Sequence, residues 1–224
     1  PMKDILIGGV DEAGRGSIIG PLVIAGVSMR TSNIQRLRIL GVRDSKLLSR
    51  KSRGNLFGHI AELAESICIF VLNCREIDEN VAVNRLNILE ADGMAQVIST
   101  ITADKTYVDA CDVNPGRYKS YIASCLGHDS PELYVFNHAD SLHVVVSAAS
   151  IIAKVFRDNE ILEINKHHNN NIGSGYPCDR KTMNFLKNWV TRFGSAPQFA
   201  RKSWKPLKIM LEELTSCEVT HLPL

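Results

Sequence analysis

The 224 residues contain no C-x-x-C pair, no zinc-ribbon spacing, no internal repeat and no low-complexity tract. The longest apolar stretch, 144–155, is interrupted by Ser147, Ser150 and Lys154, far short of the roughly 18 unbroken residues that a membrane span requires. No secretory signal opens the sequence, and Pro1 ahead of Met2 is set aside as a processing residue. Six cysteines (Cys68, Cys74, Cys111, Cys125, Cys178 and Cys217) are scattered along the chain. That scatter argues against a disulfide scaffold or a structural zinc site and for free thiols in a reducing cytoplasm. Proline is also scarce, at 8 residues, while 45% of residues are apolar and 22% charged, which excludes a disordered chain. A length of 224 residues suffices for one large domain, or one domain with an appendage.

Net charge is nearly absent too, at +2, but its distribution is uneven. Residues 30–53 hold eight Lys/Arg against Asp44 alone, and residues 175–208 hold eight against Asp179 alone. Each segment therefore carries +7, and the rest of the chain carries −12. Basic segments on an acidic body suit a surface that tracks phosphates, although charge runs are often only solvated faces.

Apolar, β-branched runs at Ile5 to Val10 and Pro21 to Met29 predict two strands joined by the glycine-rich turn between them. Ser49 offers an N-cap to a helix carrying Leu56, Phe57, Ile60, Leu63 and Ala64 at helical spacing. Further strands are expected over 67–72, 106–109 and 133–136, and helices over 86–101 and from Pro115 to Leu126. A single long helix, apolar nearly all round in its first half, is expected from Ser141 to about Ile164. Strands that come first and then alternate with helices predict an α/β core around a mixed sheet. A soft boundary near residue 170 divides a domain over 1–170 from a helical, basic extension over 171–224. Within that extension Phe185, Trp189 and Phe193 recur every four residues, the spacing of a packed stripe rather than of a base-stacking ladder.

In this layout Asp11 and Glu12 stand where the first strand ends, Asp109 where "TYVD" ends, and Asp140 at the mouth of the long helix. Ligands gather outside strand ends in open α/β sheets, so carboxylates from separate strands can converge there. Converging carboxylates drive one another's pKa upward unless a cation neutralises them. Oxygen-only ligands suit Mg2+ or Mn2+ rather than zinc, and two such ions support phosphodiester cleavage. Taken singly, each acid is equally a turn former or a helix cap.

The ordered motifs "GVDEAGRG" (9–16), "DSKLL" (44–48), "RLNILE" (85–90), "YVDACDV" (107–113), "HAD" (138–140), "SAASIIAKVFRD" (147–158) and "GSGYPCD" (173–179) make the chain resemble ribonuclease HII, the type 2 ribonuclease H, in its archaeal form. The resemblance spans residue 5 to about residue 206. It implies a ribonuclease H-like fold, a five-stranded mixed sheet flanked by helices. It also implies metal-dependent hydrolysis of RNA in RNA/DNA hybrids, with cleavage 5′ of single ribonucleotides embedded in duplex DNA to give 3′-hydroxyl and 5′-phosphate ends. The family's acidic metal ligands fall on Asp11, Glu12, Asp109 and Asp140, with Asp112 a competing aspartate. Gly14, Arg15 and Gly16 correspond to residues that touch the scissile ribonucleotide, and Tyr176 to a tyrosine that packs on the following deoxyribose. Lys46 and Asn87 correspond to positions near the substrate phosphates. Arg201, Lys202 and Lys205, around Trp204, are expected to extend the phosphate track.

Two departures stand out: His138 replaces a common lysine, and Ser17 a common proline. The final residues "CEVTHLPL" do not supply a sliding-clamp peptide, and a monomer is expected. The rival readings are a DNA nuclease or resolvase of the same fold, and a non-catalytic nucleic-acid-binding module.

Overall fold

The computed structural model describes residues 4–42, 45–127, 130–168 and 172–219, and the side chains of Lys46 and of residues 215–219 lie outside the described ones. Five strands are present among the described residues: β1 (Leu6–Ala13), β2 (Leu22–Arg30), β3 (Ser66–Leu72), β4 (Lys105–Asp109) and β5 (Glu132–Phe136). They form one sheet in the order β3-β2-β1-β4-β5. β1 is antiparallel to β2 and parallel to β4, which is in turn parallel to β5. This is the five-stranded mixed sheet of the expected fold class. Nine helices accompany it among the described residues: α1 (Thr31–Ile39), α2 (Arg50–Leu63), α3 (Cys74–Ala82), α4 (Leu86–Thr100), α5 (Pro115–Cys125), α6 (Ala139–Leu142), α7 (Val144–His167), α8 (Arg180–Phe193) and α9 (Lys205–Val219).

Local chemistry sets most helix starts. The Ser49 side chain accepts a hydrogen bond from the Ser52 N–H at the start of α2, Asn114 does the same for Arg117 ahead of Pro115, and Asp179 accepts from Lys181 at α8. Sequence reading does not anticipate α3, although Asn73 and Glu76 close a full capping box there. Nor does it anticipate α1, where the N-cap residue Arg30 makes no side-chain cap and the distant Asp4 accepts the Ser32 N–H at 3.1 Å instead. The single long helix expected from Ser141 is instead two: α6 ends at His143, which is extended, and α7 begins at Val144.

Two glycines decide how closely helices lie on the sheet. A Cβ at Gly9 of β1 would lie 2.3 Å from the Val145 carbonyl oxygen of α7, and one at Gly26 of β2 would lie 2.3 Å from Val97 Cγ1 of α4. Gly26 pairs with Val10, not Gly9, so the two close approaches are on opposite faces of the sheet. On the Gly9 face Ala13, Val23, Ala25, Val27 and Met29 pack with Val145, Ala148, Ala149, Ile152 and the α2 residues Leu56 and Ile60. Each fully buried aliphatic side chain of this kind contributes roughly 1.5–3 kcal/mol.

The chain divides into two compact units: Pro1–Ala13, Val23–Val71 and Leu86–Asp158 form one; Gly14–Leu22, Leu72–Arg85 and Asn159–Leu224 form the other. The boundary expected near residue 170 misses the two early segments, which belong with the C-terminal part. The first unit holds the sheet. The second has its own core of Ile18, Ile19, Ile161, Ile172, Leu186, Val190, Ala200 and Leu207. Phe185 and Trp189 are half-buried and pack with His168 and Phe199, while Phe193 at the end of the row is exposed.

Candidate active site

Adjacent residues on a strand point to opposite faces, and the acidic pair of β1 obeys this. Asp11 falls on the α7 face, where Ser150 and Lys154 act on its carboxyl; Glu12 falls on the α4 face, where it meets the fields of Glu90, Asp109 and Cys111. Asp109 ends β4, the strand that runs parallel to β1 on the side away from β2. The result is a compact group: Asp11, Glu12 and Asp109 each offer a carboxylate oxygen within 4.8 Å of the others.

Burial pushes the Asp11 carboxyl well above its ordinary value, and the Glu12 charge adds to this, while Ser150 and Lys154 oppose it. Glu12 is raised as well, first by burial and then by Glu90. Of the pair, Asp11 is pushed up the more, and the interaction between the two carboxyls raises Asp11 while it lowers Glu12. Burial leads both shifts and neighbouring carboxylates add to them, a condition that a divalent cation relieves. The donor set is oxygen only, as a hard cation requires. Lys154 also donates to Ser150 Oγ at 3.2 Å, and Ser150 Oγ lies 2.8 Å from Ser45 Oγ, which ties the α7 side of the site to the turn at Ser45–Leu47.

Asp109 is held from the far side. Its Oδ1 accepts the Ala139 N–H at 2.7 Å, because His138, in the left-handed conformation with φ 58°, turns the chain from β5 into α6. Asp140 follows immediately and is buried, with its main-chain carbonyl accepting the Ser147 hydroxyl. Asp140 stands outside the 4.8 Å group formed by the other three acids. Asp112 is engaged elsewhere: Arg117 grips it through two nitrogens, Asn114 N–H donates at 2.9 Å and Asn87 Nδ2 at 2.9 Å. These partners hold its carboxyl down at about 2, so it is a structural ion pair. Asn87, expected near phosphates, serves here to steady Asp112.

In the second unit, the turn after β1 contains Gly14 at φ 91°, a half-buried Arg15 and an exposed Gly16. Ile18 and Ile19 N–H both donate to the Gly175 carbonyl, at 2.8 and 3.1 Å, next to the half-buried Tyr176. Lys202 is exposed, and its N–H donates to Asp78. Arg201 is a correction. Expected along a phosphate track, it is wholly buried, with its guanidinium turned to backbone carbonyls. The side chain of Lys46, expected at substrate phosphates, lies outside the described residues. Sequence reading missed Glu90, wholly buried behind Glu12, and the roles of Ser150 and Lys154; their helical spacing within the quoted "SAASIIAKVFRD" was the available signal.

A family model described as Ribonuclease HII matches residues 8–207. The chain belongs to the ribonuclease HII family. It is 43% identical over 206 residues to the Ribonuclease HII of Cenarchaeum symbiosum, covering 92% of this chain and 98% of the relative. It is 41% identical to that of Thermococcus sibiricus, covering 93% and 92%. Among solved structures, the ribonuclease H2 of Pyrococcus horikoshii OT3 superposes with a TM-score of 0.87 at 36% identity, covering 94% of this chain and 99% of that one. The RNase HII in the PCNA:RNase HII complex of Archaeoglobus fulgidus superposes at 0.81 with 35% identity, covering 90% and 96%. The protein is thus a ribonuclease H-type endoribonuclease, a hydrolase with a ribonuclease H-like fold. The family is divalent-metal dependent, and the Asp11, Glu12 and Asp109 group fits that dependence. No helix among the described residues is long and apolar enough to cross a membrane.

Proposed function

We propose that the chain hydrolyses the RNA strand of RNA/DNA hybrids and also cuts 5′ of single ribonucleotides embedded in duplex DNA, leaving 3′-hydroxyl and 5′-phosphate ends. The observation that carries this reading is the meeting of Asp11, Glu12 and Asp109 within 4.8 Å, with Asp140 one residue beyond the N–H that holds Asp109. Mg2+ or Mn2+, two ions in the substrate complex, would supply an activated water and stabilise the leaving oxygen. Asp11, Glu12, Asp109 and Asp140 are the proposed ligands, Asp140 completing the set by a side-chain swing. Asp11 would hold the cation in its ionised form, which Lys154 favours.

The second unit supplies sugar recognition in this reading. A trans peptide points each N–H opposite to the preceding carbonyl. The carbonyls of Gly14 and Arg15 face Arg201, so the N–H groups of Arg15 and Gly16 point the other way, the side from which a 2′-hydroxyl would approach. Gly16 has ordinary φ, and a Cβ there would meet open space; nothing in the fold calls for glycine at that point, whereas a closely approaching sugar does. Tyr176 packs on the next, deoxy, sugar and leaves no room for an extra hydroxyl. Arg15, Lys202, Asn87, which also steadies Asp112, and Lys46, by its place in the sequence motif, are the further proposed substrate-binding residues. The acids all lie in one unit of one chain, and a monomer suffices.

The test offers one duplex DNA with and without a single ribonucleotide, and a full RNA/DNA hybrid, across a Mg2+ and Mn2+ titration. Cleavage confined to substrates with ribonucleotides, abolished by chelation, is the expected outcome. Equal cleavage of the all-DNA duplex would replace this reading with a DNA nuclease, and metal-saturated inactivity on all three with a binding module.

A further inference from the structure

The Arg201 guanidinium carries a specific assignment. Its Nη2 donates to the Gly14 carbonyl at 2.7 Å and to the Gly20 carbonyl at 3.0 Å, its Nη1 to the Arg15 carbonyl at 2.8 Å, and its Nε to the Gly20 carbonyl at 3.2 Å. It lies on the Trp204 ring, 4.8 Å from the centroid, and none of its surface is exposed. Cys74 Sγ donates to the same Gly20 carbonyl at 3.3 Å, and Ser17 donates to the Gly14 carbonyl through both its N–H, at 3.1 Å, and its hydroxyl, at 2.8 Å. A planar fork spreads fixed donors over three nitrogens and so reaches three separated carbonyls at once, whereas the three donors of a lysine ammonium radiate from a single atom and do not span them. One cation therefore gathers both ends of the Gly14 to Gly20 loop and sets the direction of its peptide planes.

We propose that Arg201 is a positioning residue for recognition of the ribose. It does not touch nucleic acid; it fixes the Gly14–Arg15–Gly16 turn so that the turn distinguishes ribose from deoxyribose. The proposal rests on the sugar-reading role given to this turn above. It differs in kind from neutralising a phosphate: a buried fork bonded to carbonyls leaves the salt dependence of binding untouched, whereas removing a phosphate-bound cation would make the salt slope shallower by about one.

The test measures binding in Ca2+ of two fluorescent duplexes, one all-DNA and one carrying a single ribonucleotide, with the full-length chain. The wild type is expected to bind the ribonucleotide duplex more tightly. Arg201→Lys keeps the charge and loses the fork. It is expected to bring that preference down about tenfold or to unity, corresponding to about 1.4 kcal/mol, with all-DNA affinity and salt slope unchanged. Arg201→Gln, which keeps part of the hydrogen bonding without charge, is expected to do the same. Ser17→Ala, which removes only the hydroxyl bond to the Gly14 carbonyl, loosens the turn from its other side and lowers the preference by a smaller factor; it serves if the Arg201 variants do not fold.

A preference unchanged in folded Arg201→Lys, or unchanged in Ser17→Ala should only that variant fold, overturns the proposal. An equal loss on both duplexes with a shallower salt slope returns Arg201 to the phosphate track. A wild type that binds both duplexes equally defeats the sugar-reading role itself, and the proposal with it.

Discussion

Replacing Asp11 by asparagine removes one of three ionisable carboxyls held within 4.8 Å of one another. At that separation, with an effective dielectric of about 20, each fully ionised pair repels by roughly 3.5 kcal/mol, and Asp11 enters two of the three pairs. Burial first and this repulsion second push Asp11 well above its ordinary 3.8. Between 3.8 and that raised value the folded state binds more protons than the unfolded one. The stability of the metal-free protein is therefore intact below 3.8 and falls as pH rises through the window. Asparagine is nearly isosteric, stays neutral and still accepts the Glu12 N–H that Asp11 Oδ1 takes at 2.7 Å.

Metal-free Asp11→Asn is expected to be more stable than the wild type at pH 8 by on the order of 2 kcal/mol, or about 4–8 °C in Tm for a chain of this size. The advantage should shrink toward pH 4. Saturating Mn2+ should raise the wild-type Tm and leave the variant nearly unmoved, and the variant's turnover should fall by a factor of about 1,000 or more. Thermal unfolding followed by circular dichroism in EDTA and in Mn2+, from pH 4 to 9, measures all of this. A metal-free variant no more stable than the wild type at pH 8 would refute the reasoning, since the crowding of charge would then be absent.

Gly9→Ala should cost about 3 kcal/mol or more, or prevent soluble expression, because the added Cβ meets a main-chain carbonyl at 2.3 Å that no rotamer relieves; urea unfolding checks it. Asp112→Asn should lose about 1–2 kcal/mol at pH 6, a figure discounted because Arg117 is half exposed. Asp112 titrates at about 2 when folded, so the difference from wild type should be full above 3.8 and vanish as pH falls toward 2; a gap unchanged between pH 6 and pH 2.5 would count against the ion pair. Lys154→Gln removes the cation that favours ionised Asp11, and Mn2+ binding at pH 7 by calorimetry should weaken by about tenfold, a loss recovered in part at higher pH.

The sheet is legible in the sequence because each strand is a short apolar run ended by a charge or an asparagine, and the acids Asp11, Glu12 and Asp109 at strand ends meet at one edge. Asp112 differs from Asp109 for a local reason: a carboxylate that directly ends a strand faces the sheet edge, whereas one three residues on can turn back to pair with Arg117. Arg201 misleads because three cations around a tryptophan, seen as a string, have the composition of a solvated basic face. Only the return of residues 14–20 to its side puts it inside. The same non-local pairing hides the second unit, which draws on residues 14–22 and 72–85. The break at His143 escapes notice because both sides of it are helical in pattern; stacking on Tyr107 and Phe136, at 4.3 and 5.6 Å, holds that residue extended. Asp140 stands outside the acidic group, which no sequence pattern encodes.

The bond from Arg201 to the Gly14 carbonyl joins residues 187 positions apart. Pairings of such span close last, since the entropy of a long loop is lost before the pairing rewards it. During synthesis the four acids leave the ribosome well before the arginine that fastens the turn beside them in the chain. On the proposed reading, a nascent chain is unable to sort ribose from deoxyribose until residue 201 has emerged, and a product truncated ahead of that arginine keeps the whole acidic set while lacking the means to choose a target.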